Sequence, residues 1–254
     1  MPDLEIAFIF FFVALFYSMV GFGGGSSYLA IMAIYGLPAM TMKTIALLCN
    51  IVVVSGGTWL FYKRGLLDLK KMFPLVVLSI PMAFVGGVLR TNDKIFLTVL
   101  GAALVLAAVL MIIESLRGKE EVRTENKTNS LTNASIGGGV GLLSGFVGIG
   151  GGIFLSPLLH FTRWGFIKQI AAASSFFILV NSLAGLGGHM IRSGAYLNYR
   201  EILPLVLAVF IGGQIGSRIT TQRLSQRVVK SLTAILILYV GTRLILLQLF
   251  QINI

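Results

Sequence analysis

Charge is scarce in this 254-residue sequence: Asp, Glu, Lys and Arg together make 11%, against 56% hydrophobic residues and a mean hydropathy of +0.92. A soluble domain carries about 25% charged residues. Too little polar surface is left here to coat a water-facing globule, so the composition predicts an outer surface that faces lipid. Cysteine is nearly absent. The single Cys49 excludes an intramolecular disulfide. Histidine is limited to His160 and His189, with no carboxylate cluster beside them in sequence, which is no basis for a metal site. His189, behind Gly187-Gly188, stays open for proton coupling. Acids number nine: Asp3, Glu5, Asp68, Asp93, Glu114, Glu120, Glu121, Glu125 and Glu201. All fall at the ends of apolar segments or between them. Carriers of cations and proton relays commonly rely on a carboxylate inside the membrane. Its absence favours an anionic or neutral ligand over a metal cation.

Enzymatic signatures are missing as well. There is no Ser/His/Asp set, no carboxylate pair, and no phosphate loop followed by Lys. The glycine clusters lack the strand context and later acid of a dinucleotide fingerprint. No catalytic residue, metal or cofactor is expected. The formal charge of +11 does not indicate nucleic acid, because the 20 Lys and Arg sit mostly in short gaps between apolar runs. That is where the positive-inside rule puts them. The start, Met1-Pro2-Asp3-Leu4-Glu5, lacks the basic region of a cleaved signal peptide, so the first segment is expected to stay as a membrane helix.

Apolar runs lie at about 6–20, 26–38, 44–62, 72–89 and 95–113, and again at 134–147, 151–162, 169–191, 202–217 and 230–250. The polar stretch Glu114 to Asn133 divides them. A helix needs about 20 residues to cross the hydrocarbon core. The runs 26–38 and 151–162 are shorter, and each follows a glycine cluster: Gly21-Phe22-Gly23-Gly24-Gly25-Ser26-Ser27 and Gly148-Ile149-Gly150-Gly151-Gly152. Asn50 and Asn181 are 131 residues apart, as are Gly56-Gly57 and Gly187-Gly188; Pro74 and Pro204 are 130 apart, Gly65 and Gly194 are 129, and Gly23 and Gly150 are 127. The expected architecture is an all-α membrane protein of two five-segment repeats, 1–113 and 134–254, joined by a linker at 114–133.

Loop charge orients the repeats. The loop after the third segment carries Lys63, Arg64, Lys70 and Lys71 in the first half, but Arg192 and Arg200 in the second. The loop after the fourth carries Arg90 and Lys94 in the first half, but Arg218, Arg223, Arg227 and Lys230 in the second. The bias is swapped, which predicts inverted halves, a cytoplasmic linker (Arg117, Lys119, Arg123, Lys127) and both termini outside. The short segments are either full hairpins or re-entrant. Inverted repeats with broken helices are characteristic of carriers that rock around a midplane site. A larger bundle produced by duplication alone is the alternative.

Gly137-Gly138-Gly139, Gly86-Gly87 and Gly212-Gly213 are expected to be packing surfaces between helices. The two broken clusters differ, since consecutive glycines disfavour helix by about 1 kcal/mol each against alanine. A chain broken in the membrane leaves backbone groups that protein, water or ligand must satisfy. The helix after each break presents its N-terminus there, which suits an anion. The candidate ligand-binding residues are Gly23, Gly24, Gly25, Ser26 and Ser27 at the first break, and Gly150, Gly151 and Gly152 at the second. Asn50, Asn181, Ser174 and Ser175 join them as polar groups inside apolar segments. Bonding between helices is the alternative role for the asparagines and hydroxyls. Cys49 beside Asn50 reads as a small core residue.

Gly21-Phe22-Gly23-Gly24-Gly25 and Gly145-Phe146-Val147-Gly148-Ile149-Gly150-Gly151-Gly152 resemble the paired motifs of the TauE/SafE family of membrane permeases. Ser156-Pro157, and Asn181 followed by Gly187-Gly188, fit the same pattern, and the likeness covers about residues 5 to 250. The first cluster departs from the second in having Ser27 and Tyr28 where the second half has Phe154 and Leu155, and no matching proline. The resemblance implies a secondary transporter in a bacterial inner membrane that exports sulfite, sulfoacetate or another organosulfonate, with a coupling ion, H+ or Na+, left open. Oligomeric state is not specified. The rival readings are an anion channel and a membrane protein that transports nothing.

Overall fold

The computed structural model describes residues 4–90, 92–116, 129–193, 199–219 and 226–250. These form ten α-helices and, among the described residues, no strand. In order they are α1 (Leu4–Met19), α2 (Gly25–Ile34), α3 (Ala39–Lys63), α4 (Leu69–Val88), α5 (Asp93–Leu116), α6 (Ser130–Val147), α7 (Gly152–Phe161), α8 (Ile167–Ser193), α9 (Tyr199–Arg218) and α10 (Gln226–Phe250). Each apolar run has become one helix. The polar stretch contributes to two of them: α5 runs on to Leu116, and α6 already starts at Ser130, where the Asn129 side chain accepts from Leu131 N at 3.3 Å. Arg117, Lys119, Arg123, Lys127, Gly194 and Arg223 lie outside the described residues, as do the side chains of Arg192, Arg200, Arg227 and Lys230.

Four helices are long and apolar enough to cross a membrane: Ala39–Lys63, Leu69–Val88, Asp93–Ser115 and Ile167–Ile191. Their setting is inside-out relative to a soluble protein. Phe8, Leu78, Val85, Ile95, Leu106, Leu207, Phe210 and Tyr239 are exposed, whereas Asn50, Ser26, Ser79, Ser144, Ser174 and Asn181 are fully buried. This is a multi-pass membrane protein with an apolar belt and a partly polar interior.

Helix packing follows one rule of exchange. α1 packs on α9 and α4 on α6; α2 packs on α10 and α7 on α5; α3 packs on α9 and α8 on α4. In each pair the second contact is the first with every helix moved five places along the chain. α3 with α8 and α5 with α10 map onto themselves. Helix lengths obey the same relation, with α2 and α7 both 10 residues long. The first short helix packs back on its predecessor. The ring of Tyr28 in α2 stacks on Phe10 of α1 at 4.5 Å between centroids, well before α1 ends.

Glycine sets how closely the helices approach. On α6, Gly137, Gly141 and Gly145 lie four residues apart and face the backbone carbonyls of Leu75, Ser79 and Ala83 on α4. A methyl group at Gly141 would lie 2.5 Å from the Ser79 oxygen. Gly212 and Gly216 of α9 meet the carbonyls of Phe11 and Leu15 on α1 in the same manner. Gly86 and Gly87 abut the carbonyls of Leu142 and Gly185, and Gly213 abuts Val53. Small residues let backbones approach where lipid supplies no hydrophobic drive. Gly139 is the exception, with nothing within 4 Å of a built Cβ. Gly141→Leu is therefore expected to destabilise the fold by at least about 1–3 kcal/mol through overpacking. Gly139→Ala should stay within about 0.5 kcal/mol of the parent. Apparent melting temperatures of the two purified variants in detergent check both.

Candidate functional site

The two breaks share two left-handed positions and differ at a third, where Gly150 (φ 84°) is left-handed and Gly23 is not. Gly21 (φ 83°) and Gly24 (φ 94°) in the first match Gly148 (φ 88°) and Gly151 (φ 82°) in the second, each 127 residues on. Left-handed backbone of this kind is strained for residues with a Cβ. Gly24 and Gly151 are the N-caps of α2 and α7, and neither helix has a side chain capping its N-terminus. The first N–H groups of both helices thus point into the break, with the positive end of the helix dipole behind them.

Asn50 joins the breaks. It stands on α3, fully buried, and its Nδ2 donates to the carbonyl oxygen of Ile149 at 3.0 Å. A Cβ on Gly23 would collide with Asn50 Oδ1; one on Gly25 would collide with Asn50 Nδ2 and lie 2.7 Å from Ile149 O. A Cβ on Gly150 would lie 2.7 Å from Asn50 Nδ2 and 3.0 Å from Ser182 Oγ. Gly23, Gly25, Ile149 and Gly150 therefore surround one amide. Glycine is required here because the space a side chain would take is already filled by Asn50, Ile178 and Ser182.

The other expected residues distribute unevenly. Asn181 does not repeat the contact of Asn50: its Nδ2 donates to Phe177 O of its own helix at 2.8 Å. Ser175 is held by Thr58 Oγ1 at 2.9 Å and donates to Val54 O at 3.4 Å, tying α8 to α3. Ser27 pairs with the hydroxyl of Tyr17. Gly152 packs on the side chain of Ile178 and Gly24 on Tyr28 and Val13. Ser26 Oγ, Ser174 Oγ, Asn50 Oδ1 and Asn181 Oδ1 are buried and have no hydrogen-bond partner among the described residues. Ser144 Oγ and Ser182 Oγ share that state. Ser182, next to Asn181 in sequence, is the α8 residue that reaches Gly150. Sequence reading did not select it, nor Lys43, Ser144 or Tyr17.

The chemistry is mixed. Each asparagine donates one N–H to a backbone carbonyl and leaves its acceptor oxygen without a partner among the described residues. Further donors toward an anion come from helix N–H groups and from the hydroxyls of Ser26, Ser174 and Ser182. No side-chain cation touches Asn50 among the contacts described.

A cavity of about 170 Å³ reaches toward the first break, lined by Ser18, Gly57, Arg64, Lys168, Ala171 and Ser217, with Leu60 and Phe61 on its apolar wall. Arg64 and Lys168 are exposed at its mouth. Its inner wall abuts the break, since a Cβ on Gly21 would lie 2.7 Å from the carbonyl oxygen of Ala171. A second feature was not legible in sequence: His160 Nε2 of α7 meets Glu114 Oε1 of α5 at 3.1 Å, so a carboxylate does stand beside this histidine. His189 is 2% exposed and Cys49 fully buried.

Two glycine breaks thus pack about one buried amide inside an all-helical bundle. The family model for the sulfite exporter TauE/SafE matches residues 6–244. The chain belongs to the TauE/SafE family. It is 36% identical over 244 residues to a probable membrane transporter protein of Sinorhizobium fredii, y4hK, covering 95% of this chain and 98% of that one. A probable membrane transporter protein of Sinorhizobium sp., ORF9, is 25% identical over 247 residues, 95% of this chain and 92% of its own. A third, YunE of Bacillus subtilis, is 33% identical over 106 residues, 42% of this chain and 38% of its own. This member of the family is accordingly a transporter of the cell membrane.

Asn50→Ala strands the Ile149 carbonyl in a dry interior, which costs about 1–3 kcal/mol. Asn181→Ala removes a bond that never leaves α8. The expected order of melting temperatures is parent, then Asn181→Ala, then Asn50→Ala. The reverse order of the two variants would show that the breaks are not held together by Asn50.

Proposed function

We propose that the chain is a secondary transporter that exports a small sulfur-containing anion, sulfite or an organosulfonate such as sulfoacetate, by alternating access. Its moving parts are two inverted halves, 1–113 and 134–254, with the cytoplasmic linker 114–133 between them. One observation carries this reading: two matching glycine breaks converge on Asn50, with helix N-termini and unpartnered hydroxyls around them. The exchange rule of helix packing supports the paired halves. The swapped basic bias of the loops supports their inversion. Sulfur comes from the description of the family, a sulfite exporter, and from no residue in the site.

The anion is held by the first N–H groups of α2 and α7 and by the hydroxyls of Ser26, Ser174 and Ser182. Gly23, Gly24, Gly25, Gly150, Gly151 and Gly152 let it reach the backbone. The free oxygen of Asn50 accepts a proton-bearing group of the ligand, or ligates the coupling ion, H+ or Na+, that travels with it. Binding by dipoles alone is weak enough to permit release, which transport requires as much as capture.

Ser182→Ala separates binding from folding. Removing a hydroxyl that has no partner spares stability. The apparent KM for sulfite in proteoliposomes should then rise about tenfold, the value of one lost charge-assisted hydrogen bond. Gly150→Leu should abolish saturable flux. Unchanged sulfite flux in folded Ser182→Ala and Gly150→Leu protein would remove the proposed site.

A further inference from the structure

Two rows of residues face each other where α3 packs on α8. Arg64, Gly57 and Asn50 lie seven residues apart on α3, and Lys168, Ser175 and Ser182 lie seven residues apart on α8. That spacing keeps each row on one face of its helix, with a drift of about 20° per step. The rows meet in antiparallel register. Asn50 Nδ2 and Ser182 Oγ lie 2.7 and 3.0 Å from the same built Cβ, that of Gly150. One step along, a Cβ on Gly57 would lie 3.5 Å from Ser175 Oγ, which Thr58 Oγ1 holds at 2.9 Å. One step further, Arg64 and Lys168 line the same cavity. Each step is about 10 Å, so the two cations stand about 20 Å from the meeting of the breaks.

The cavity at the end of these rows has the charge pattern of an anion receptor. Among the described residues no acid lines it. Arg64 caps the C-terminus of α3, where the helix dipole favours a cation. Lys168 stands in the first turn of α8, where the dipole opposes one, and that turn holds no acidic residue. Its charge is therefore unfavourable for its own helix. It adds to the positive end of the dipole, and both act in the same direction on an anion in the cavity. Leu60 and Phe61 give the cavity an apolar wall, which concentrates the field. The volume of about 170 Å³ admits a small oxyanion that keeps part of its water. The floor leads inward. Ala171 O abuts Gly21 at the first break, and Ser175, one turn beyond Ala171, faces Gly57. Lys71 Nζ lies over the ring of Trp164 at 4.4 Å, which puts the basic loop after α3 beside the turn before α8.

We propose that this cavity is the cytoplasmic capture site for the transported oxyanion, with Lys168 and Arg64 as its binding cations, and that the anion passes from it between α3 and α8 to Asn50 and Ser182. The proposal rests on the transport reading above, orientation included, and adds an entry station to the central site. Capture by a basic, concave mouth raises the local concentration of anion, so it acts on flux at low substrate more than on maximal flux.

Lys168→Gln, Lys168→Glu and Lys168→Arg in the full chain test it, with Lys63→Glu as the control. Lys63 is exposed one residue before Arg64, but its Nζ lies over the ring of Trp59 at 5.0 Å and it does not line the cavity. Sulfite flux from the cytoplasmic face of proteoliposomes is measured against concentration at low and high salt, together with apparent melting temperature. Lys168→Gln should raise the apparent KM about two- to fivefold, the worth of one exposed charge contact. Lys168→Glu should raise it further, and Lys168→Arg should stay near the parent. High salt should lift the parental KM toward that of Lys168→Gln. Lys168→Glu should melt at or above the parent, since an acid replaces a cation at a helix N-terminus. An equal rise of KM in Lys63→Glu overturns the proposal, because the charge of the whole surface then suffices. So does a loss of flux in the Lys168 variants that comes with a lower melting temperature and an unchanged KM, which marks a packing role. Absence of sulfite flux in the parent overturns the transport reading and this proposal with it; flux in the parent with a parental KM in Lys168→Glu overturns this proposal alone.

Discussion

The hydrogen bond from Asn50 to the Ile149 carbonyl is the constraint on which the centre of this molecule depends. A helix broken inside a membrane exposes backbone groups that lipid cannot satisfy. One side chain from the first half answers that need in the second, and its bulk occupies the places where Gly23, Gly25 and Gly150 would carry a Cβ. Loss of glycine at any of these positions displaces the amide. Loss of the amide strands the carbonyl. The glycines and the asparagine are therefore one structural unit, although 99 residues separate Asn50 from Ile149.

Around that unit, glycine acts in a second way. At the α4–α6 and α1–α9 interfaces it brings one backbone against another, and the gain is dispersion and weak carbonyl contacts in place of hydrophobic burial. The apolar side chains are thereby released to the outside, where Phe8, Leu106, Leu207 and Phe210 face lipid. Glycine thus meets two requirements: left-handed backbone at Gly21, Gly24, Gly148, Gly150 and Gly151, and absence of volume at Gly23, Gly25 and the helix interfaces.

All ten helices were legible in the sequence, because apolar length and glycine punctuation fix them. So were the two glycine breaks, because their spacing is duplicated. Three things were not. Asn181 mirrors Asn50 in sequence, yet a buried amide bonds wherever its rotamer finds an acceptor, and Phe177 O is nearer than the opposite break. Ser182 differs from Asn181 by one residue, which on a helix is a turn of about 100° and a different neighbour. Lys43 stands one residue before the apolar run 44–62 and was not singled out. Phe96 and Phe146, from distant parts of the chain, pack over it. The pairing of Glu114 with His160 was hidden for the same reason.

The placement of charge along α3 bears on how such a path works. Full charges stand near its ends, at Lys43 and Arg64, and the middle holds only an amide, hydroxyls and helix dipoles. A cation at the centre would bind an anion in a low dielectric too tightly to let it go, since the attraction between unit charges grows as the dielectric falls. Partial charges on helix ends avoid that trap while still opposing the desolvation of the ligand. On the proposed reading, an anion would meet full charge near the ends of α3 and dipoles at its centre. The glycine breaks would make that possible, because an interrupted helix can bring its N-terminus to the interior of a bundle.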